Sequence, residues 1–259
     1  MSGRKVVIVG AGPAGLMAAE VLALGGARVV VHERMPSPAR RLLMAGRGGL
    51  NLTHSEALAD MLGRYGGRAE ILAPLLEAFS PAALRDWAAG LGQETFVGTS
   101  GRVFPRALKA SPLVRAWLAR LAGLGVEICL RSTWTGWDVD GQPLFLQGRG
   151  HPVPEQADAL LLALGGASWP RLGADGAWTP LLAAAGAAPA PLRPANCGFV
   201  GTLSPAFTDR FAGAPLKAVE LRFGERRARG EILLTARGLE GGRRLCPLPR
   251  PEGGHRDSR

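Results

Sequence analysis

Residues 4–33 read RKVVIVGAGPAGLMAAEVLALGGARVVVHE, and the order of residue types in this stretch decides the fold class. Lys5 to Val9 is a short β-branched run that stops at Gly10, the composition of a strand buried on both faces. Pro13 to Leu24 then changes period. Leu16, Ala19, Val21 and Leu24 fall at helical spacing, Pro13 stands where a first helical turn accepts proline, and Gly25-Gly26 ends the run. A second strand, Ala27 to His32, is almost wholly valine and is followed at once by Glu33. Strand, helix and strand within about 30 residues make a parallel crossover, so the chain is expected to be α/β.

Gly10, Gly12 and Gly15 spell GxGxxG in the turn between the first strand and the helix. Gly10 permits the tight turn, Gly12 lets the backbone approach a pyrophosphate, and Gly15 lets the helix pack closely on the strand. The uncompensated N–H groups and the positive dipole end of the helix then face the phosphates. Glu33 follows Gly15 by eighteen residues, where a carboxylate accepts hydrogen bonds from the adenosine ribose and repels a 2′-phosphate. FAD and NAD both carry ADP, so the motif leaves that choice open. The same opening imitates a secretory signal peptide, basic, then apolar, then small, but the glycine spacing has the better explanation in dinucleotide binding.

From Met35 to Leu52 the chain is rich in Pro, Gly and Arg without periodicity and reads as a long loop at the carboxyl end of the sheet. Its segment ARRLLMAGRGGLNLTHSE, Ala39 to Glu56, offers Arg40, Arg41 and Arg47 with Gly46, Gly48 and Gly49, groups able to meet a phosphate or a flavin edge. His54 reads as a surface residue just before a helix near Ser55. Ser80-Pro81 and Ser111-Pro112 each place an N-cap serine before proline. In the second of these helices Leu113, Trp117, Leu121 and Leu124 share one face. Val126 to Leu130 reads as a third strand, and Asp140-Gly141 as the turn of a hairpin between Trp134 to Val139 and Leu144 to Gln147. The strand Ala159 to Leu164 runs into Gly165-Gly166 within LALGGASWPRLGADG, a second strand-to-glycine turn at the cofactor crevice of a doubly wound sheet. Trp87, Trp117 and Trp178 read as core, and Tyr65, the only tyrosine, has no partner marking it as a proton donor.

Composition narrows the classes. Among 259 residues, 47% are apolar, enough for a packed core, and the 37 glycines and 20 prolines follow no G-X-Y period. Cys129, Cys197 and Cys246 are widely spaced, which argues against a disulfide framework, a zinc ribbon and a dithiol pair and fits the cytoplasm. No apolar run is long enough for a membrane span, and no spacing suggests a metal site. The net charge is +10, carried by arginine with only Lys5, Lys109 and Lys217 as lysines. These arginines are scattered rather than gathered with aromatics, which argues against nucleic acid as a partner. An RNA-directed flavoprotein ranks last among the readings. The expected organisation is a nucleotide-binding domain over 1–194, a partial β-rich domain over 195–242, and a tail, RRLCPLPRPEGGHRDSR, expected to be disordered over 243–259.

GAGPAGLMAAE, GRGGLNLTHSE, GRVFPRALKASPLVRAWLARL, LALGGASWPRLGADGAW and PANCGF together resemble the BaiN-like family of NAD(P)/FAD-dependent oxidoreductases, from about residue 4 to 242. The resemblance implies a Rossmann-like, two-dinucleotide-binding-type FAD domain interrupted by a β-rich insert that begins near Asn196. It implies FAD as cofactor, NAD(P)H as a candidate electron donor and a small molecule, such as an enone steroid or a small amine, as substrate. Carried over by position, Gly10, Ala11, Gly12, Pro13, Ala14 and Gly15 would bind the pyrophosphate, and Glu33 with Arg34 the ribose side. Arg41 matches a basic residue of the family's loop, with Gly46, Gly48 and Asn51 beside it. Trp134 falls where the third strand meets adenine, and Gly165 and Gly166 would lie along the cofactor. Many relatives read GGGRCN where this chain has GRGGLN, Gly46 to Asn51, so a guanidinium near the flavin is lost or moved to Arg47. Relatives also continue beyond the insert and return to the FAD domain. The change of character after Gly242 therefore suggests a frameshifted or prematurely ended reading frame, and a truncated remnant with weak or no FAD binding stands as the alternative to a working enzyme. No histidine or carboxylate is singled out as a catalytic acid or base, and nothing in the sequence sets the oligomeric state.

Overall fold

The computed structural model describes residues 3–192, 198–201, 203–223 and 226–241, and the chain divides into two compact units, 1–190 and 191–259. The expectations for Asn196, Cys197, Cys246 and the tail 243–259 fall outside the described residues. In chain order the first unit holds β1 (Lys5–Val9), α1 (Pro13–Leu24), β2 (Arg28–Glu33), α2 (Arg40–Ala45), β3 (Thr53–His54), α3 (Leu58–Gly63), α4 (Ala69–Ala78), α5 (Pro81–Gly90), β4 (Thr95–Val97), β5 (Arg102–Pro105), α6 (Ala110–Gly123), β6 (Glu127–Leu130), β7 (Ser132–Trp137), β8 (Pro143–Gln147), β9 (Val153–Pro154), β10 (Ala159–Leu162) and α7 (Thr179–Ala184).

The valine-rich segments form a central parallel sheet in the order β10-β1-β2-β6. Both faces are covered, as continuous apolar strands require. On one face Ile8 and Val31 meet Leu16 and Ala19 of α1 and Leu113, Trp117 and Leu121 of α6. On the other, Val7 and Val9 meet Trp134 and Phe145 of the antiparallel β7-β8-β9 sheet and Leu181 and Leu182 of α7. Helices therefore cover one face and a small antiparallel sheet with α7 the other, rather than the two helical layers of a doubly wound sheet. A third sheet, β3-β5-β4, is also antiparallel.

Inside the helical layer Glu20 of α1 is only 4% exposed, and three donors satisfy it. Trp117 Nε1 donates at 2.6 Å, Arg120 Nη1 at 2.8 Å and Trp87 Nε1 at 3.1 Å. Trp87 and Trp117 pack edge to face at 4.8 Å, in the core as expected. This cluster ties α1 to α5 and α6 and so sets the pose of the helix that follows the glycine turn.

Several elements differ from their sequence reading. The loop expected over Met35 to Leu52 contains α2, six residues too short to show a period, whose Leu42 and Leu43 pack on the core. His54 lies in β3, paired with Arg102, and the next helix starts at Leu58 rather than near Ser55. Ser80 does cap α5, accepting from the Ala83 amide at 3.2 Å. Ser111 caps nothing, because α6 begins at Ala110, which is 2% exposed and packs against Gly46. β7 ends at Trp137, two residues earlier than expected, whereas β8 starts at Pro143, one residue before its expected bound. The Asp138 carboxylate accepts from the amides of Asp140 and Gln142 at 3.0 and 2.8 Å and winds a longer turn.

The second unit holds β11 (Gly198–Val200), α8 (Pro205–Phe211), β12 (Pro215–Phe223), β13 (Arg226–Thr235) and β14 (Gly238–Gly241) in an antiparallel sheet ordered β11-β14-β13-β12. Its short strand-like segments are thus the halves of one long hairpin, with a register shift between Leu216 and Val219. Ser204 before Pro205 caps α8.

Replacing Glu20 by alanine strands two indole N–H groups and a guanidinium. Glu20→Ala should lower unfolding free energy by about 3 kcal/mol, measured in urea, with Glu20→Gln costing less because one acceptor oxygen remains.

Candidate functional site

β1 and β2 end side by side at Val9 and His32, and the chain turns there through Gly10 with φ +105°. A Cβ at Gly10 would stand 2.5 Å from the Ala163 carbonyl oxygen, and one at Gly15 only 1.9 Å from the Gly10 oxygen. At Gly12 a Cβ would meet nothing within 4 Å. The three glycines therefore divide the work, two allowing backbones to touch and one leaving the approach to the helix clear. No side chain caps α1 at Gly12 and no acidic residue stands in its first turn. Its first amides and positive dipole end are left for an outside anion.

That terminus opens into a cavity of about 1150 Å³, wholly within the first unit. Gly10, Ala11, Gly12, Pro13 and Ala14 line it, as do Glu33, Arg34, Arg41, Trp134 and Gly165. Gly15 lies beneath the turn as a packing residue instead. Gly46, Gly48, Asn51 and Gly166 are not brought to the wall. Gly46 is consumed by helix packing, since a Cβ there would lie 2.6 Å from the Ala110 Cβ. Asn51 and Gly48 are exposed, and the β3–β5 pairing draws the chain after Gly49 into a separate sheet.

Glu33 organises one end of the cavity. Its Oε2 accepts from the Ala11 amide at 2.9 Å and its Oε1 from the Met35 amide at 2.8 Å. A carboxylate has about four acceptor sites, so each oxygen keeps one for an outside donor while the pair of bonds ties the glycine turn to the end of β2. Beyond it, Arg34 Nη1 lies 2.9 Å from Asp175 Oδ2. The Arg34 guanidinium, helped by the Ala177 amide, holds the Asp175 carboxyl below the usual carboxylate range. Arg41 Nη2 donates to Ser168 Oγ at 3.1 Å. Both bonds reach from the β2–α2 side to the segment 165–176 that follows β10.

Sequence reasoning missed several lining residues. His32, read only as part of a valine strand, lines the cavity at 2% exposure. Its Nδ1 lies 2.7 Å from Ser132 Oγ and its ring stacks on Phe145 at 3.6 Å. Glu155 Oε2 stands 2.7 Å from His32 Nε2 without hydrogen-bond geometry. Trp178, expected in the core, belongs both to the apolar cluster and to the cavity wall. Trp169 and Asp175 also line the wall, and no spacing in the sequence ties either to Arg34. Among the described residues, four buried side-chain nitrogens lack a hydrogen-bond partner: His32 Nε2, Arg40 Nε, Trp134 Nε1 and Trp178 Nε1. All four belong to residues lining this cavity, and the arginine and the two indoles can only donate. An acceptor-rich molecule is the complement of such a wall.

A family model described as HI0933-like protein Rossmann domain matches residues 4–240. The chain belongs to that family. Over 197 residues it is 29% identical to the 3-dehydro-bile acid delta(4,6)-reductase of Clostridium scindens, covering 74% of this chain and 46% of that protein. Among solved structures, the 3-ketosteroid-delta4-(5alpha)-dehydrogenase of Rhodococcus jostii, in complex with 4-androstene-3,17-dione, aligns with a TM-score of 0.50 at 17% identity, over 64% of this chain and 47% of that one. This last likeness is one of fold, a Rossmann-like α/β unit. The chain spans about half the length of these relatives. Among the described residues no helix is long and apolar enough to cross a membrane, and no group of side chains could hold a metal ion.

Burial lowers the affinity of His32 for a proton, more than Glu155 restores it. The folded imidazole therefore takes a proton less readily than the unfolded one. Stability is expected to be full above about pH 6.5 and to fall as pH drops from there through the lower folded value. Urea midpoints measured across this range check it, and His32→Gln should flatten the slope.

Proposed function

We propose that the cavity of the first unit holds FAD, and that the protein is a flavin-dependent oxidoreductase moving hydride between flavin and a small organic substrate, with NAD(P)H as electron donor. The observation that carries the reading is that, among the described residues, the buried donors left without a partner, Arg40 Nε, Trp134 Nε1 and Trp178 Nε1, all belong to residues lining the cavity into which the uncapped N-terminus of α1 opens. The residues present fit the group. Gly12 leaves room for a diphosphate beside the amides of α1. Arg40 and Arg41 of α2 line the same wall and supply cations to neutralise it, and Glu33 takes the ribose hydroxyls. The volume exceeds the roughly 300–1,000 Å³ of drug-sized pockets, as an extended dinucleotide needs. Leu162, Leu164, Leu181 and Leu182 make part of the wall apolar, which excludes water from flat rings. When bound, flavin supplies the hydride chemistry, and the protein orients it and sets its surroundings.

Flavin rather than nicotinamide is supported by the likeness of GRGGLNLTHSE and LALGGASWPRLGADGAW to FAD-dependent flavoproteins. Redox chemistry is supported by the Clostridium scindens relative, a reductase. A cytoplasmic setting agrees with the widely spaced cysteines.

Protein reconstituted with FAD and freed of excess should be yellow, with an absorbance band near about 450 nm. Gly12→Val should melt like the parent, because its φ is −80° and no protein atom lies within 4 Å of the new Cβ, yet lose the pigment. Glu33→Ala should weaken FAD binding by about tenfold, the loss of one charge-assisted hydrogen bond. A preparation that stays colourless, or a Gly12→Val variant that keeps its full pigment, would overturn the reading. Anaerobic bleaching by NADH or NADPH then identifies the donor.

A further inference from the structure

The segment 165–176 crosses from the end of β10 to the end of β2 and is tied at two points, Ser168 to Arg41 and Asp175 to Arg34. Between the ties the backbone doubles back on itself. Trp169 and Ala174 exchange both amide–carbonyl bonds, each at 3.1 Å, around the single 3-10 turn Pro170–Leu172. Gly173, at φ +90°, presses so closely on Met35 that a Cβ would lie 2.8 Å from its Cγ. The small loop is therefore seated on Met35, whose amide is bonded to Glu33.

Trp169 stands at the start of that loop. It lines the cavity and is 53% exposed, whereas Trp134 is 6% exposed and Trp178 half-buried in the apolar cluster. An indole held on a doubly bonded loop with half its surface open offers a large flat face at the cavity. Aromatic faces of this kind stack on nucleobases, which every base offers as a π-surface.

We propose that Trp169 is the stacking platform for the purine base of the bound dinucleotide. The position selects the base over the other ring. Glu33 and Arg34 line the end of the cavity where the ribose hydroxyls are taken, the loop carrying Trp169 rests on Met35 next to them in the chain, and the base is joined directly to that ribose. Arg34 and Asp175 hold the platform in place from the side. This inference rests on the nucleotide reading above and adds to it a residue that reads the base.

ADP is the probe, titrated calorimetrically into the full chain and into Trp169→Phe, Trp169→Leu and Trp169→Ala. A half-exposed side chain can be replaced without unfolding, and melting temperatures check this. Loss of a base–aromatic stack weakens binding by about tenfold. Trp169→Leu and Trp169→Ala should show that loss, while Trp169→Phe, flat but smaller, should stay within about threefold of the parent. Apolar cover alone would be kept by leucine, and a purely structural role would be lost in phenylalanine and leucine alike. Leucine binding ADP as tightly as phenylalanine, or phenylalanine falling as far as leucine, would overturn the platform while leaving the nucleotide site standing. Failure of the parent chain to bind either ADP or FAD would remove both.

Discussion

The Gly15 Cα lies against the Gly10 carbonyl oxygen, so near that any Cβ would be 1.9 Å from it, and the chemistry of the cavity descends from that contact. It brings the first turn of α1 down onto the end of β1, so that the unbonded amides of a twelve-residue helix open where three parallel strands finish together. Gly10 makes the matching contact with Ala163 at the end of β10. A side chain at either position would push strand and helix apart, and the dipole end would no longer meet the space between the strands. Glu33 closes the arrangement from the other side, since its bond to the Ala11 amide makes the turn and the end of β2 one rigid unit.

Charge is distributed unevenly about that unit. Donors dominate the wall: the α1 amides, Arg40, Arg41 and the two buried indoles. The carboxylates on the wall, Glu33 and Asp175, are both engaged, the first by two amides and the second by Arg34 and the Ala177 amide. An anion entering the cavity therefore meets unsatisfied donors and few uncompensated negative charges. The ties from Arg34 and Arg41 are partly exposed and individually modest in strength. Their effect is to hold the 165–176 segment at the rim, where it borders the space a dinucleotide would fill, rather than to stabilise the fold.

The first thirty-three residues are legible because each element has an unambiguous period and a fixed punctuation. β1, α1 and β2 appear within a residue of where the valine runs and the Gly25-Gly26 stop put them. The glycine turn and Glu33 are legible for the same reason, being local. What could not be read is set by distance along the chain. Asp175 is 141 residues from Arg34, and Ser132 is 100 from His32, and no pattern of types announces such pairs. His32 was hidden inside a valine strand, where a single polar residue looks like a tolerated substitution. Loop composition points Gly46 and Gly48 toward the cofactor, and the family resemblance adds Asn51, but Gly46 is required by contact with Ala110 of α6. Glycine in a loop reports a close approach without saying to what.

Amide hydrogen exchange of the full chain, followed with and without ADP, tests the central contact most directly. Slowed exchange is expected at Ala14, Gly15 and Leu16, at Arg34 and Met35, and along 165–176. A saturated complex in which the amides of the first turn of α1 exchange as fast as in the free protein would contradict the placement of the diphosphate and everything built on it.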